Sequence, residues 1–244
     1  ALLEGRWKAR WISVPDEPVN IFGVYHFRKS FTVEDIPARF IVHVSADNRY
    51  KLFVNGVQVS LGPSRGDIYN WSYETIDIAP WLKSGKNVLA AVVWNFADQT
   101  PIATLSFNQT GFLLQGNSPA EEIVNTDNTW LCVKNSAYSP WSKPVLGYYA
   151  VGAGEQVNAA VYPWGWEQPD FVDADWKKAR SGMEGAAKGA RDYPGRLLVP
   201  RPIPSMEMRT ERFEAVRIAD GINCPKDFPS KPIAITIPAN SNVR

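Results

Sequence analysis

The sequence predicts an all-β protein, a β-sandwich of jelly-roll type. Three observations predict it. Apolar and polar residues alternate at period two through much of the first half of the chain, the signature of strands with one buried face. Turn residues punctuate these runs at intervals of roughly eight to twelve residues. Helical periodicity is nearly absent.

The elements follow in order. Trp7 to Val14 (WKARWISV) ends in a short strand before Pro15. Val24 to Val33 (VYHFRKSFTV) sets Tyr25, Phe27, Phe31 and Val33 on one face against His26, Arg28 and Ser30, a half-buried strand. Phe40 to Ala46 (FIVHVSA) is rich in β-branched residues and reads as another strand. Tyr50, Leu52 and Val54 alternate up to Asn55-Gly56, and Val57 to Leu61 returns. Asn-Gly between two such runs signals a hairpin, because both central residues of a type I′ turn need positive φ. Gly62 to Asp67 is a loop. Its Arg65-Gly66-Asp67 matches the integrin tripeptide, but so short a sequence recurs by chance and nothing else in the chain supports that reading.

Tyr73 to Ile78 is a short strand, Ile78 to Leu82 a single helical turn, and Lys83 to Lys86 a turn. Asn87 to Phe96 (NVLAAVVWNF) is apolar almost throughout, as expected of a central strand buried on both faces. Weaker strands are expected at Ala103 to Phe107, Phe112 to Gln115 and Trp130 to Lys134. Between Asn117 and Asp170 the pattern loosens into a long stretch rich in Pro, Gly, Tyr and Trp, which reads as a functional loop or a partner-facing surface. Trp141, Trp164 and Trp166 could face a substrate or a neighbouring domain, and the interface is the favoured reading. Phe171 to Ala179 is expected to turn and then form a closing strand. Gly182 to Gly195, small and polar, reads as a loop.

Pro200 to Pro204 resembles an extended linker. Beyond it, Glu207 to Ile218 and Ile233 to Ile237 are strand-like. The expected organisation is a sandwich over 1–198, then a linker and the first strands of a truncated second β domain over 199–244. The residues after the linker are too few for an independent core, so the chain reads as the front of something larger.

Composition excludes several classes. An apolar content of 45% with 21% charged residues favours a packed core over disorder. A net charge of +1 without a basic run argues against nucleic-acid binding. No apolar stretch approaches the length of a membrane span, and no signal peptide is visible. The two cysteines, Cys132 and Cys224, form no C-x-x-C motif and read as thiols packed like small hydrophobes. The two histidines, His26 and His43, lie in strand-like runs and supply neither a His-based metal site nor a Ser-His-Asp triad. Ten tryptophans suit a sandwich core and equally suit stacking on sugar rings.

The order of several motifs is distinctive. Trp7-Lys8-Ala9-Arg10-Trp11-Ile12 is followed by Phe27-Arg28-Lys29-Ser30-Phe31. Ser45-Ala46-Asp47-Asn48-Arg49-Tyr50, Leu52-Phe53-Val54-Asn55-Gly56 and Gly62-Pro63 come next. Asp77 to Leu82 and Gly85 to Ala90 follow, and Gly154-Glu155, Pro163-Trp164-Gly165-Trp166 and Asp173-Ala174-Asp175-Trp176 come later. Over roughly residues 5 to 240 the chain resembles the amino-terminal sandwich domain of bacterial α-L-rhamnosidases, glycoside hydrolase family 78. Other glycosidases carry sandwich domains with some of these motifs.

The resemblance implies a galactose-binding-like jelly roll placed ahead of a separate α-helical barrel. In that family the barrel hydrolyses terminal α-L-rhamnose of plant or bacterial glycosides and inverts the anomeric centre with a pair of carboxylic acids. The barrel has no room here, so the fragment is expected to be non-catalytic. No catalytic residue is assigned, and Glu74, Glu155 and Glu167 stay unassigned. The implied partners are carbohydrate, L-rhamnose among them, and the catalytic barrel of the same parent chain. The implied location is periplasmic or extracellular.

A related module of this family binds L-rhamnose with calcium. By resemblance, the matching carbohydrate-binding positions are Asp47, Asn48 and Trp71. The matching calcium ligands are Asp47, Asn48 and the loop from Asn95 to Pro101. Hard oxygens from a carboxylate, an amide and loop carbonyls suit Ca2+. The alternatives are a structural module without a ligand, with Asp47-Asn48 as ordinary turn chemistry and Trp71 as core, and an accessory sandwich of another glycosidase.

Overall fold

The computed structural model describes residues 2–100, 109–141, 154–209 and 211–243. Two units separate at Ile203/Pro204. The first holds every strand among the described residues, arranged as two six-stranded sheets and a short hairpin.

One sheet is built from β1 (Arg6–Ser13), β3 (Ile41–Asp47), β6 (Trp71–Asp77), β8 (Gly111–Gly116), β13 (Arg180–Ala187) and β14 (Leu197–Pro200). Its order is β1-β13-β14-β6-β3-β8, and it closes on itself because Ile12 also pairs with Phe112. The other sheet uses β2 (Gly23–Val33), β4 (Arg49–Val54), β5 (Val57–Gly62), β7 (Gly85–Asn95), β9 (Leu131–Lys134) and β12 (Lys177–Lys178), in the order β12-β9-β2-β7-β4-β5. The hairpin pairs β10 (Tyr138–Pro140) with β11 (Glu155–Val157). The all-β prediction therefore holds.

Period two decides which side chain goes where. Val42, Val44, Ala46, Tyr50, Leu52, Val54, Leu89, Ala91, Val93, Phe112 and Leu114 meet in the core between the sheets. The alternate residues of the closed sheet face its interior, where Trp7, Ala9, Trp11, Trp71, Tyr73, Leu113 and Leu198 pack. Strand β7 lies between β2 and β4 and is buried on both faces, as its apolar run predicts. Its Val88, Ala90 and Val92 pack with Val24 and Trp166 on the outer side. The Asn55-Gly56 turn has φ of 49° and 87°, the two positive values a type I′ hairpin requires.

Two expectations need correction. Gly182 to Gly195 was expected to be a loop, but residues through Ala187 belong to β13, antiparallel to β1 and parallel to β14. The missing strand signal has a packing cause. A Cβ at Gly185 would lie 2.9 Å from Leu113 Cδ2 and 3.3 Å from Trp7 Cβ, so a larger residue there would have to displace its neighbours. Among the described residues the strand-like runs at 207–218 and 233–237 form no strand. Phe213, Ile218 and Ile237 are exposed there, and an extended run without a partner strand has no ladder to join. The expected strand at 103–107 lies outside the described residues.

Outer face of β2 and its cover

Arg28 and His26 were expected on an open face. Residues 158–176 cover that face instead. Arg28, buried at 1% side-chain exposure, pairs with Asp173 at 2.8 Å and donates to the carbonyls of Trp166 and Gln168. Its guanidinium lies 5.2 Å from the Phe171 ring and 5.9 Å from the Trp176 ring. Trp166 is therefore core, while Trp164 and Trp141 are exposed.

His26 stacks on Trp166 at 3.9 Å between ring centroids and meets the Asn135 amide at 3.2 Å. Burial pushes its pKa down to about 3. An unfolded histidine titrates near about 6.5, so between those values the unfolded chain binds the extra proton. The stabilisation from neutral His26 is complete above the unfolded pKa and is lost as pH falls toward the folded one. In urea unfolding, His26→Gln is expected to flatten the rise of stability with pH between about 4 and 6.5. An unchanged slope would assign that rise to other groups.

Candidate functional site

The chain crosses from one sheet to the other at Asp47-Asn48, where β3 ends and β4 begins. Asp47 points into the closed sheet and has no exposed surface. Its Oδ2 accepts from Arg196 Nη2 at 2.7 Å and its Oδ1 from Asn48 Nδ2 at 2.9 Å. The Arg196 guanidinium lies 4.4 Å from the Trp11 ring centroid and 5.3 Å from that of Trp71, and it also donates to the Gln109 carbonyl. Trp71 is 4% exposed. In this conformation its ring packs in the core, with a guanidinium where a pyranose would lie.

Asn48 works toward the other sheet. Its backbone N–H donates to the Trp94 carbonyl at 2.8 Å, and its Oδ1 accepts from the Phe96 N–H at 2.7 Å. Asn95 is buried; its amide donates to Val19 O and Thr110 Oγ1, and its Oδ1 accepts from the Ala97 N–H. The fold thus brings Asp47, Asn48 and the start of the Asn95 loop together. Pro101 lies outside the described residues.

As arranged, the described part of this donor set is engaged within the protein. A calcium ion takes six to eight oxygen ligands. Here Asp47 already faces a cation, and the side-chain oxygens of Asn48 and Asn95 accept backbone N–H groups. Among the described residues no three His, Cys, Asp or Glu side chains gather as a metal cluster.

Beside the crossover lies a groove of about 420 Å³, lined by Arg49, Lys51, Pro63, Trp94, Phe96 and Glu155 among others. The strand pattern explains it. Tyr50 and Leu52 point into the core, so Arg49 and Lys51 project from the opposite face, with Arg49 paired opposite Trp94 in the ladder. The Arg49 guanidinium lies 5.1 Å from the Phe96 ring and the Lys51 ammonium 5.8 Å from the Trp94 ring. Burial pushes the Glu155 carboxyl up, against the Trp94 indole N–H and the charges of Arg49 and Lys51. Sequence reasoning missed this groove, although the alternation Arg49-Tyr50-Lys51-Leu52 announces two cations on one face.

The other marked residues have structural roles. Glu74 is buried against Arg201 at 3.1 Å and accepts from the Ser64 N–H. Asp67 of the Arg-Gly-Asp tripeptide accepts from the Tyr69 N–H and the Asn70 amide within its own turn.

A two-sheet β-sandwich module with an aromatic groove at one crossover is the class that fold and site define. The chain belongs to the α-L-rhamnosidase N-terminal domain family, whose model matches residues 36–220. An α-L-rhamnosidase of Streptomyces avermitilis is 23% identical over 197 residues, 72% of this chain and 16% of that protein. The crystal structure of a GH78 family rhamnosidase of Bacillus sp. GL1 is 28% identical with a TM-score of 0.66, covering 82% of this chain and 20% of that one. The α-L-rhamnosidase structure from Dictyoglomus thermophilum, 19% identical with a TM-score of 0.55, covers 75% of this chain and 22% of that one and shares the fold. The chain spans about a fifth of the length of these relatives.

Proposed function

We propose that this chain is the non-catalytic amino-terminal domain of an exported, inverting α-L-rhamnosidase, and that it binds carbohydrate beside a helical-barrel catalytic domain. The family match over residues 36–220 carries this reading. The Bacillus rhamnosidase structure, similar over 82% of this chain, supports it. No helix among the described residues is long and apolar enough to cross a membrane.

Two measurements on the full chain test it. The chain is expected to release no product from p-nitrophenyl α-L-rhamnoside; turnover would overturn the non-catalytic assignment. Calorimetry is expected to show L-rhamnose binding with Kd in the millimolar range, about −4 kcal/mol. The calcium-assisted version requires Arg196 to leave Asp47. A calcium-dependent rise in Tm, reversed by chelation, is its signature, and an unchanged Tm excludes it.

A second reading is a packing module without a ligand. It is favoured by the internal bonds that engage the side chains of Asp47, Asn48 and Asn95. Absence of binding by any saccharide would select it.

A further inference from the structure

We propose that the groove at Arg49, Lys51, Trp94, Phe96 and Glu155 is a subsite for a saccharide unit bearing a carboxylate, a uronic acid in chemical class. The inference rests on the carbohydrate-binding reading and names a site and a sugar chemistry within it.

The groove has the parts that such a unit needs. Trp94 is half-buried and supplies an aromatic surface for the apolar face of a pyranose once the exposed Lys51 ammonium, 5.8 Å from its ring centroid, turns from the ring to the sugar's carboxylate. The ring is anchored: Trp94 belongs to the central strand β7, and its carbonyl holds the Asn48 N–H. Phe96 is fixed next to it through its own N–H on Asn48 Oδ1. The floor is therefore set by the crossover and not by a free loop tip.

Charge then selects the ligand. Arg49 and Lys51 lie two residues apart on one strand face, both with exposed side chains. Among the described lining residues Glu155 is the single acid against Arg49 and Lys51, leaving one excess positive charge. A sugar carboxylate can meet the Arg49 guanidinium through paired N–H donors while Lys51 adds a point charge. The Glu155 carboxylate remains as an acceptor for ring hydroxyls. A neutral sugar would satisfy only the aromatic surface and the hydroxyl contacts.

Calorimetry on the full chain with three probes tests this: methyl β-D-glucuronide, methyl β-D-glucoside and methyl α-L-rhamnoside. The glucuronide is expected to bind about tenfold tighter than the glucoside, the order of one charge-assisted hydrogen bond. That advantage should shrink as salt screens the cations. Arg49→Gln and Lys51→Gln should each reduce it, and Trp94→Leu, which keeps apolar packing against the outer-face cluster but removes the aromatic surface, should weaken glucuronide binding. Both cations are exposed, so their variants should keep the wild-type Tm. Equal affinity for glucuronide and glucoside, or an advantage that survives in both cation variants, overturns the acidic-sugar assignment. If the neutral sugars bind without that preference, the acidic subsite falls and the carbohydrate-binding domain stands. If none of the three binds, both readings fall.

Discussion

Arg196→Ala is expected to destabilise the sandwich by about 3–5 kcal/mol, the cost of leaving a buried charge without its partner. Asp47 has no exposed surface, so its carboxylate cannot regain water when the guanidinium is removed. The substitution also empties the space beside Trp11 and Trp71 and removes the donor to the Gln109 carbonyl. Urea unfolding followed by tryptophan fluorescence measures the loss. The double variant Asp47→Ala/Arg196→Met is expected to recover part of it, because a buried ion pair replaced by apolar groups is often close to neutral. A wild-type midpoint for Arg196→Ala would show that the pair is not formed in solution.

The second large effect concerns the cover on β2. Arg28→Met is expected to cost about 3 kcal/mol and to loosen residues 158–176, since one guanidinium ties Asp173, Trp166 and Gln168 to the sheet. The partners differ in what they lose. Asp173 is 24% exposed and can turn to water, whereas the Trp166 carbonyl bond is buried. Hydrogen exchange should show the loss concentrated in 158–176 and in β2, with the core strands of the closed sheet little changed. Uniform loss across both sheets would contradict the local role. Asp173→Asn is expected to be milder, because it removes the charge and leaves the carbonyl bonds and ring contacts of Arg28 in place.

Much of the fold was legible in the sequence because period two is a local property. The face assigned to Tyr25, Phe27 and Phe31 is the face that enters the core. Asn55-Gly56 announced its hairpin through the φ values those residues tolerate, and the apolar run at Asn87 announced a central strand. Strand β13 was not legible. Its Gly and Ala residues carry no β signal, and their smallness makes sense only against Trp7 and Leu113, distant in sequence. The cover over Arg28 was hidden for a similar reason, because an Arg at a polar position of an alternating strand reads as solvent-facing until a loop 140 residues away accepts its hydrogen bonds.

The candidate site divides in the same way. The sequence by itself determined that Asp47 and Asn48 end one strand and begin the next, and that Arg49 and Lys51 share a face opposite Tyr50 and Leu52. Only the tertiary structure decided what those side chains do. Asp47 meets Arg196 from 149 residues away, and Trp71 packs beside that guanidinium instead of facing a groove. The physical reason is that closure of the first sheet buries a second face. A carboxylate held there requires a counter-charge, and no local pattern says which distant residue will supply it.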